Sequence, residues 1–470
     1  MAKKSKRKNG ATQQEPPRSR TPHSAEFINF ISSGWTDVVG EAPKQWPVAS
    51  YAAARRSALA AQFSGKVLLI EAGGLKTRSN DTDYRYRPHA AFAHLTGWGS
   101  ETVPDSVLVL DARKKSLRST LYFRPTAGRD TTEFFANPAI GEFWVGPRPD
   151  LAAVSTQLGL PTKDLSDIHN VRKKHAKRLL TLADPELTQA VSELRMIKDD
   201  FEVAEMRKAV AATERGFADI VGVLPAAVRH PRGERIIEGA FFARARLEGN
   251  DLGYETIAAA GPHTCTLHWI RNDGPVKRSD LVLIDAGVEL DSLYTADITR
   301  TLPASGKFSK QQRRLYEIVL RAADAAFAVA RPGIKFREVH EAAMQVIANE
   351  VEKLGILPIS AADSLNPERQ LHRRWMVHGT SHHLGLDVHD CAQARREIYL
   401  DSELKPGMIF TIEPGLYFHA DDELVPASMR GIGIRIEDDV LVTETGVENL
   451  SAGLPRQPDE VEAWMASLLK

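Results

Sequence analysis

The 470-residue chain has few cysteines and no long apolar run, and each shortage excludes a class of protein. Cys265 and Cys391 are too few for a disulfide framework, and neither has a partner at the spacing of a structural zinc site. They fit a reducing compartment, so we expect a cytoplasmic protein. No apolar run approaches the roughly 20 residues that cross a bilayer, which predicts a soluble chain with no membrane partner.

Glycine-rich phosphate-binding loops and short-period repeats are also missing, which argues against the common nucleotide-binding domains and against solenoid folds. The chain is 43% hydrophobic and 26% charged, as is typical of a globular enzyme. Its length suggests two or three domains.

Basic side chains concentrate at the N-terminus, although the formal net charge of the chain is zero. Residues 1–20 carry a local charge of +6, from Glu15 and seven basic residues: Lys3, Lys4, Lys6, Arg7, Lys8, Arg18 and Arg20. Such a segment either attracts nucleic acid phosphates or serves as a disordered, solubilising tail. We favour the tail and expect no nucleic acid partner. The polar residues that follow argue against a signal peptide.

Composition and periodicity divide the chain into three regions. Residues 1–45 are basic, polar and proline-containing, and we expect a disordered or loosely docked arm. Over 46–195, strand-like runs such as KVLLIEAG and DSVLVLDA alternate with helical stretches, which predicts an α/β domain. Residues 196–470 begin with two helical stretches and continue with short strands and further helices, including Lys310–Ala330 and Phe336–Leu354.

Asp285 and Asp297 lie at equal distances from position 291 in the segment DLVLIDAGVELDSLYTADITRT. If the two strand-like runs form a hairpin centred there, the two side chains face each other across the ladder. Opposed carboxylates repel each other, so such a pair needs a cation. The alternative is an offset turn centre that leaves one aspartate as a turn residue.

The segment HGTSHHLGLDVHD holds four histidines, at His378, His382, His383 and His389. Neutral imidazole is a common ligand for first-row metals. Because His382 and His383 are adjacent, in a strand they point to opposite faces and only one reaches a given metal ion. A lone histidine usually only packs, but four in one motif favour a metal site.

Two more acidic residues stand at strand ends. In KPGMIFTIEPGLYF, Pro414 stops a buried-strand run and leaves Glu413 at its end, where functional residues concentrate. In GIGIRIEDDVLVT, isoleucines alternate with Arg435 and Glu437, which puts these two residues on one face. The alternative for Arg435 and Glu437 is a solvated salt bridge of little consequence.

The candidate ligand set therefore contains four carboxylates and one imidazole: Asp285, Asp297, His382, Glu413 and Glu437. Such a hard, oxygen-rich set favours a pair of divalent ions, Mn²⁺, Co²⁺ or Zn²⁺, over thiolate-bound structural zinc. Of these metals we expect manganese.

Taken in order, these motifs closely resemble those of the pita-bread metallopeptidases, in their aminopeptidase P and prolidase branch. The resemblance implies that Asp285 binds one metal ion and that Asp297 and Glu437 bridge the two ions. It implies that His382 and Glu413 bind the second ion. It covers essentially all of the chain after the basic arm and predicts a pita-bread catalytic domain in the C-terminal region.

The upstream segment SNDTDYRYRPHAAFAHLTGW is similar to the N-terminal domain of aminopeptidase P. This implies a creatinase-like α/β fold for residues 46–195 and assembly as a homodimer or homotetramer. By the same resemblance His268, in TLHWIRND, is an active-site histidine, while His378 and His389 line the pocket for the residue after the scissile bond. Arg435 would be a further pocket residue.

Two features depart from the family pattern. The hairpin between Asp285 and Asp297 is one residue longer, which suggests a bulge or a changed turn. His383 stands where a large aromatic or apolar residue is common. Neither departure removes a ligand.

The predicted activity is hydrolysis of the bond between an N-terminal residue and a following proline, by attack of a metal-bridging hydroxide. General peptidases handle this bond poorly because proline lacks an N–H and its ring fixes φ. Glu413 is the expected proton acceptor. We expect His268 and His389 to stabilise charge on the tetrahedral intermediate.

Other activities fit parts of the same pattern. A prolidase-type Xaa-Pro dipeptidase uses the same ligands and differs in a closed end that admits only dipeptides. The aminopeptidase is favoured because the N-terminal segment and RGIGIRIED resemble it more closely. Outside enzymes, the alternative is a metal-free pita-bread module that binds peptides. The intact ligand set disfavours that module, and it also disfavours a creatinase-like amidinohydrolase.

Overall fold

A computed structural model describes residues 21–22, 24–36, 42–80 and 82–469. The tail predicted at 1–20 lies outside the described residues. Within the remainder of the predicted arm, helix α1 (Ala25–Ser32) begins after Ser24, whose hydroxyl accepts a hydrogen bond from the Phe27 amide. The Phe27 ring packs edge-on against Phe135, with 5.5 Å between ring centroids.

A five-stranded mixed sheet forms the core of the N-terminal region. Its strand order is β6-β5-β4-β1-β7, with antiparallel pairing except at the β5–β6 and β1–β7 edges. The strands of this region are β1 (Val67–Glu71), β2 (Thr77–Ser79), β3 (Thr82–Asp83), β4 (Val107–Asp111), β5 (Arg118–Phe123), β6 (Thr162–Asp164) and β7 (Leu179–Thr181). The helices that follow α1 are α2 (Val48–Gln62), α3 (Ala90–Thr96), α4 (Thr132–Ala136), α5 (Glu142–Val145), α6 (Leu151–Leu158), α7 (Ile168–His175) and α8 (Pro185–Leu194).

The central strands of this sheet are apolar on both faces because helices cover both. Residues 67–70 of β1 and 107–110 of β4 are all buried. Alternate residues of these strands pack into two separate clusters, one on each side of the sheet. This arrangement is the α/β domain that the sequence predicts.

The C-terminal region begins at α9, whose N-terminus is closed by a capping box between Asp199 and Glu202. Its helices are α9 (Asp200–Val228), α10 (Gly233–Glu248), α11 (Lys310–Val329), α12 (Phe336–Lys353), α13 (Ala361–Ser364), α14 (Arg396–Tyr399) and α15 (Pro458–Leu468). Its strands are β8 (Asp251–Leu252), β9 (Ile257–Ala260), β10 (Leu281–Ala286), β11 (Val288–Glu289), β12 (Ile298–Pro303), β13 (Ile409–Ile412), β14 (Gly415–Phe418), β15 (Ile432–Arg435), β16 (Asp438–Val442) and β17 (Val447–Asn449).

Small antiparallel sheets lie at the centre of this region, and the helix pairs α9–α10 and α11–α12 pack around them. Strand order is β12-β10-β9 in one sheet and β13-β16-β17 in another, while β14 pairs with β15 and β11 with β8. One apolar cluster connects these strands with the four long helices. The strands are buried because they lie inside this shell, and their ends carry the polar residues of the candidate site.

The mixed helix and strand composition, divided between two regions, confirms the predicted fold class. Helices α11 and α12 agree with the predicted helices to within a residue at each end. Within the described part of the chain, no helix combines the length and apolar character needed to cross a bilayer.

Candidate active site

The predicted ligand residues meet at one cavity, of about 520 Å³. They come from distant parts of the chain: Asp285 is in β10, Asp297 precedes β12, His382 lies in the loop before β13, Glu413 follows β13, and Glu437 stands between β15 and β16. The other predicted site residues also line this cavity: His268, His378, His389 and Arg435. Strand ends suit this role because a strand fixes its last side chain while leaving it accessible.

The two aspartates are not directly opposed, so the predicted register is wrong. Asp285 pairs with Thr299 in the β10–β12 ladder, and the hairpin is centred at position 292 rather than 291. Leu293, at the turn, has a left-handed φ of 71°, as in a three-residue hairpin loop. Asp297 is therefore a diagonal neighbour of Asp285 on the same face. The two carboxylates still approach each other, because diagonal neighbours remain within reach.

Tyr254 joins the two aspartates and was not predicted as a site residue. Its hydroxyl lies 2.6 Å from Asp285 Oδ1 and also within hydrogen-bonding distance of Asp297 Oδ1. A phenol has one proton and can serve one carboxylate at a time. Burial, followed by the charges of the two aspartates, raises the pKa of Tyr254 well above its usual value. The segment LGYETI that contains it has no recognisable site pattern.

His382 stands among three of the carboxylates. Its Nε2 atom lies 3.2 Å from Asp297 Oδ2, 3.4 Å from Glu413 Oε1 and 4.0 Å from Glu437 Oε1. Its other ring nitrogen lies 3.2 Å from the backbone carbonyl of His383, an interaction that orients ligand histidines in metal sites. Burial lowers the pKa of His382, but the hydrogen bond to Asp297 and the charge of Glu413 outweigh it and raise the pKa to about 9.

His383 points away from the cavity, as its adjacency to His382 predicts. Its side chain is buried and stacks on Phe336, with 4.5 Å between ring centroids. Burial, together with the charge of Lys198, lowers its pKa to about 3, so the ring is neutral and packs like an aromatic residue. This explains how histidine occupies a position where an apolar ring is common.

The carboxylates raise one another's pKa values. Burial and the charge of Asp285 raise the pKa of Asp297. Burial and the charge of Asp297 raise that of Glu437 well above its usual value. Burial raises the pKa of Glu413 to about 7, although the nearby His382 lowers it. Buried carboxylates this close hold protons unless cations neutralise them.

Asp439 is a further buried acid beside the site, and the sequence motifs did not single it out. Its Oδ2 atom accepts a hydrogen bond of 3.2 Å from the Asp297 backbone amide. Burial and the charge of Asp297 raise its pKa well above the usual value. It follows Glu437 by two residues in RIEDD, which is the signal that could have identified it.

Arg435 is a buried residue and not part of a solvated salt bridge. Only 4% of the residue is exposed, and its guanidinium donates to Asp285 Oδ2, to Tyr417 at 3.1 Å and to Thr299 at 3.0 Å. The predicted placement of Arg435 and Glu437 on one face holds, since both line the cavity. Arg435 neutralises part of the acidic charge and fixes the orientation of Asp285.

The remaining histidines surround the ligand residues. His378 Nε2 lies 2.7 Å from the Tyr417 hydroxyl, and burial and the charge of Arg435 lower its pKa to about 3. The His389 ring packs edge-on against the His382 ring, with 4.4 Å between ring centroids. Burial lowers the pKa of His389. His268 reaches the same cavity from the loop after β9.

This donor set fits divalent cations. One atom from each of Asp297, His382 and Glu437 lies within 4.8 Å of the other two. Asp285 and Glu413 add oxygen donors to the same cavity. The raised pKa values mean that these carboxylates hold protons in the absence of a cation. Divalent cations bound there would displace these protons and interact more favourably with the carboxylate charges.

Comparison with known proteins identifies relatives of both regions. The chain matches metallopeptidase family M24 over residues 204–444 and the N-terminal domain of aminopeptidase P over residues 52–181. Xaa-Pro aminopeptidase 1 of Streptomyces coelicolor is 47% identical over 467 residues, which cover 95% of this chain and 93% of the relative. The Xaa-Pro aminopeptidase of Escherichia coli is 35% identical, over 88% of this chain and 97% of its own length.

Solved structures agree with these sequence matches. Pseudomonas aeruginosa aminopeptidase PepP aligns with a TM-score of 0.78 and 31% identity, covering 90% of this chain and 99% of that structure. Zinc-substituted E. coli aminopeptidase P in complex with product has the same TM-score and identity, and covers 91% of this chain and 100% of that one.

Proposed function

Because this chain belongs to metallopeptidase family M24, we propose that it is an Xaa-Pro aminopeptidase with a dinuclear metal centre. Such an enzyme releases the N-terminal residue of a peptide whose second residue is proline. The observation that carries the proposal is the convergence of four carboxylates and His382 on one cavity. The names of the curated relatives support the choice of substrate.

The proposed metal ligands are Asp285, Asp297, His382, Glu413 and Glu437. Divalent ions held by these residues would lower the pKa of a water molecule and polarise the peptide carbonyl. We propose Mn²⁺ as the native metal because a donor set rich in carboxylate oxygen suits it, while Co²⁺ and Zn²⁺ are compatible with the same donors. The zinc-substituted relative supports the use of a divalent ion.

Glu413 is the proposed acceptor of the proton from the attacking water. Its carboxylate borders the cavity and lies 3.4 Å from His382, within reach of a water held among the ligands. His389 and His268 border the same space from separate loops and can donate hydrogen bonds to a developing negative oxygen. The lowered pKa of His389 keeps it a neutral donor at pH 7.

His378 and Arg435 form the proposed wall for the residue after the scissile bond. Both contact the Tyr417 hydroxyl, so the three side chains hold one another in place. Apolar side chains at Leu267 and Val388 also line the cavity and suit the apolar proline ring.

Hydrolysis of matched peptides tests the substrate. The purified protein, loaded with Mn²⁺, should release the first residue of an Xaa-Pro-Yaa tripeptide and leave Xaa-Ala-Yaa intact. Cleavage of the Xaa-Pro dipeptide alone would identify a dipeptidase instead. Failure to cleave both the Xaa-Pro-Yaa tripeptide and the Xaa-Pro dipeptide, with Mn²⁺, Co²⁺ or Zn²⁺ bound, would favour a peptide-binding module.

Metal analysis tests the ligand assignment independently of activity. Asp297→Asn removes a proposed ligand carboxylate, so the metal content per chain should fall from about two ions and turnover should fall at least about 100-fold. Asp421→Asn, at an exposed aspartate, serves as the control. Full metal content in Asp297→Asn would exclude its role as a metal ligand.

We also propose that the enzyme acts in the cytoplasm as a homodimer or homotetramer. The support is its resemblance to aminopeptidase P, including the N-terminal domain. Size-exclusion chromatography with light scattering measures the mass of the protein in solution. A mass near the monomer's 51.9 kDa would exclude the dimer and the tetramer.

A further inference from the structure

The loop over 261–274 carries His268 and is called here the His268 loop. Leu267, His268 and Ile270 of this loop line the cavity. The His268 imidazole is exposed and makes no hydrogen bond to any described residue. Its position therefore depends on how the backbone of the loop is held.

A buried carboxylate on the neighbouring helix α10 holds this loop. Glu234 is fully buried, and its two oxygens accept four hydrogen bonds. Oε1 accepts from the Ala260 amide at 2.8 Å and from His263 Nδ1 at 2.7 Å. Oε2 accepts from Trp269 Nε1 at 2.9 Å and from the Gly274 amide at 2.7 Å. These donors lie before, within and at the end of the His268 loop.

Packing around Glu234 reinforces these bonds. The rings of His263 and Trp269 stack with 3.8 Å between centroids and 25° between planes. At Gly274 an added Cβ would lie 2.6 Å from the His263 ring and 2.9 Å from Glu234 Oε2, so only glycine allows this approach. Trp269 is the residue next to His268, which links the anchored ring directly to the cavity wall.

We propose that Glu234 is a positioning residue that sets the place of His268 in the active site. The proposal rests on the proposed function, in which His268 stabilises charge in the transition state. A displacement of about 1 Å in such a group can cost about 100-fold in rate. Glu234 makes no contact with the cavity itself, so it acts through the loop.

Glutamine at this position is a sharp test because it preserves shape and changes hydrogen bonding. The carboxylate meets donors on both oxygens, whereas a glutamine amide replaces one oxygen with an NH₂ group. At the Oε2 position the NH₂ group faces two fixed N–H donors, from Trp269 and Gly274, and both bonds are lost. At the Oε1 position the bond from the Ala260 amide is lost, and His263 keeps its bond only by changing tautomer. The loop should loosen on the side that faces the NH₂ group.

Kinetics of Glu234→Gln should show a fall in kcat of about tenfold or more with KM changed less than about threefold, because His268 acts in the transition state. Glu238→Gln, on the same helix, is the matched control and should keep both constants. A double-mutant cycle with His268→Ala locates the effect: if Glu234 acts through His268, adding Glu234→Gln to His268→Ala should cause no further loss. Wild-type kcat in Glu234→Gln, or fully additive losses, would overturn the proposal.

Hydrogen exchange separates this inference from the proposed function. In Glu234→Gln, amides over 263–274 should exchange faster than in wild type, while those of β10 and β13 keep their rates. If wild type cleaves no Xaa-Pro peptide, the function fails but this measurement still decides whether Glu234 holds the loop. Unchanged exchange in the loop, or faster exchange throughout the chain, would contradict a positioning role.

Trp269→Phe provides the same readout if Glu234→Gln does not fold. It removes one donor to Glu234 and keeps an aromatic ring to stack on His263. It should show a smaller fall in kcat in the same direction, with faster exchange confined to the His268 loop. Unchanged kcat and exchange would count against the proposal.

Discussion

At the scale of single residues, burial determines the chemistry of the candidate metal site. Asp297, Glu413 and Glu437 have raised pKa values because burial penalises their charges and each repels the others. Arg435 and His382 supply positive charge, and His382 gains basicity from its acidic neighbours. Residues that would be ordinary acids in water thus form a site suited to divalent cations.

Metal-free protein should lose stability as the pH rises from 7 to 9. The folded pKa of His382, about 9, exceeds its unfolded value of 6.5. The folded state then binds more protons, so the free energy of unfolding falls as the pH rises through this range. This stabilisation is fully present below about pH 6.5 and is lost above about pH 9, a change on the order of 2 kcal/mol between pH 7 and 9. Histidines with lowered pKa values, such as His378 and His383, are largely neutral in both the folded and the unfolded state above pH 7 and do not oppose this change.

Thermal unfolding with a chelator, at pH 7, 8 and 9, measures this effect. The melting temperature should fall steadily across the series, and Mn²⁺-loaded protein should show a much flatter profile because the cations replace the protons. A chelated protein with the same melting temperature at all three values would contradict the expected linkage.

At the scale of elements, the β10–β12 hairpin aligns two proposed ligands, and its strands approach closely at Gly287. A Cβ at Gly287 would lie 1.7 Å from the Ala296 carbonyl oxygen, so no larger residue fits without separating the strands. The Asp297 position follows directly after that contact. Local backbone packing therefore determines the spacing of the metal ligands.

Gly287→Ala should destabilise the protein by about 3 kcal/mol or more and reduce its metal content, because it forces the strands apart beside Asp297. Gly222→Ala is a matched control in the interior of α9, where a Cβ meets no atom within 4 Å. It should stabilise the protein by about 0.5–1 kcal/mol through helix propensity. Urea unfolding and metal analysis of both variants give the comparison. Equal stability of the two variants would contradict the predicted steric conflict at Gly287.

At the scale of the whole molecule, ion pairs connect the N-terminal region to the loop that carries His389. Asp390 is buried and accepts from Arg195 at 2.9 Å and from Lys198 at 3.3 Å, both in the segment joining the two regions. Burial raises the pKa of Asp390, but these two cations outweigh it and hold the pKa well below its usual value. Arg87 contacts Asp387 of the same loop. The N-terminal region thus supports one wall of the cavity.

Asp390→Asn should cost about 3–5 kcal/mol of stability, because it removes the buried carboxylate that Arg195 and Lys198 share and leaves only the more exposed Asp387, 3.7 Å from Arg195. The matched control is Asp387→Asn, whose aspartate side chain is 37% exposed and should cost about 1 kcal/mol or less. Denaturant midpoints of the two variants provide the measurement. Similar midpoints would show that the buried ion pairs do not hold the loop.

The sequence alone predicted the elements and the candidate ligands, because both depend on local patterns. Apolar periodicity indicates helices such as α11 and α12, and proline after Glu413 indicates a strand end. The adjacency of His382 and His383 was enough to predict that their side chains point in opposite directions. The resemblance of these motifs to a known family predicted the two-part fold.

Only the tertiary structure decided how those residues meet. The hairpin register shifted by one position at its centre, since the turn at Leu293 and the close contact at Gly287 determine pairing more strongly than symmetry in the sequence does. Tyr254 and Glu234 gained their roles from partners far along the chain, and no local pattern marks them. Spacing along a chain specifies which face a side chain occupies, whereas burial and packing between distant segments determine which groups come within hydrogen-bonding distance.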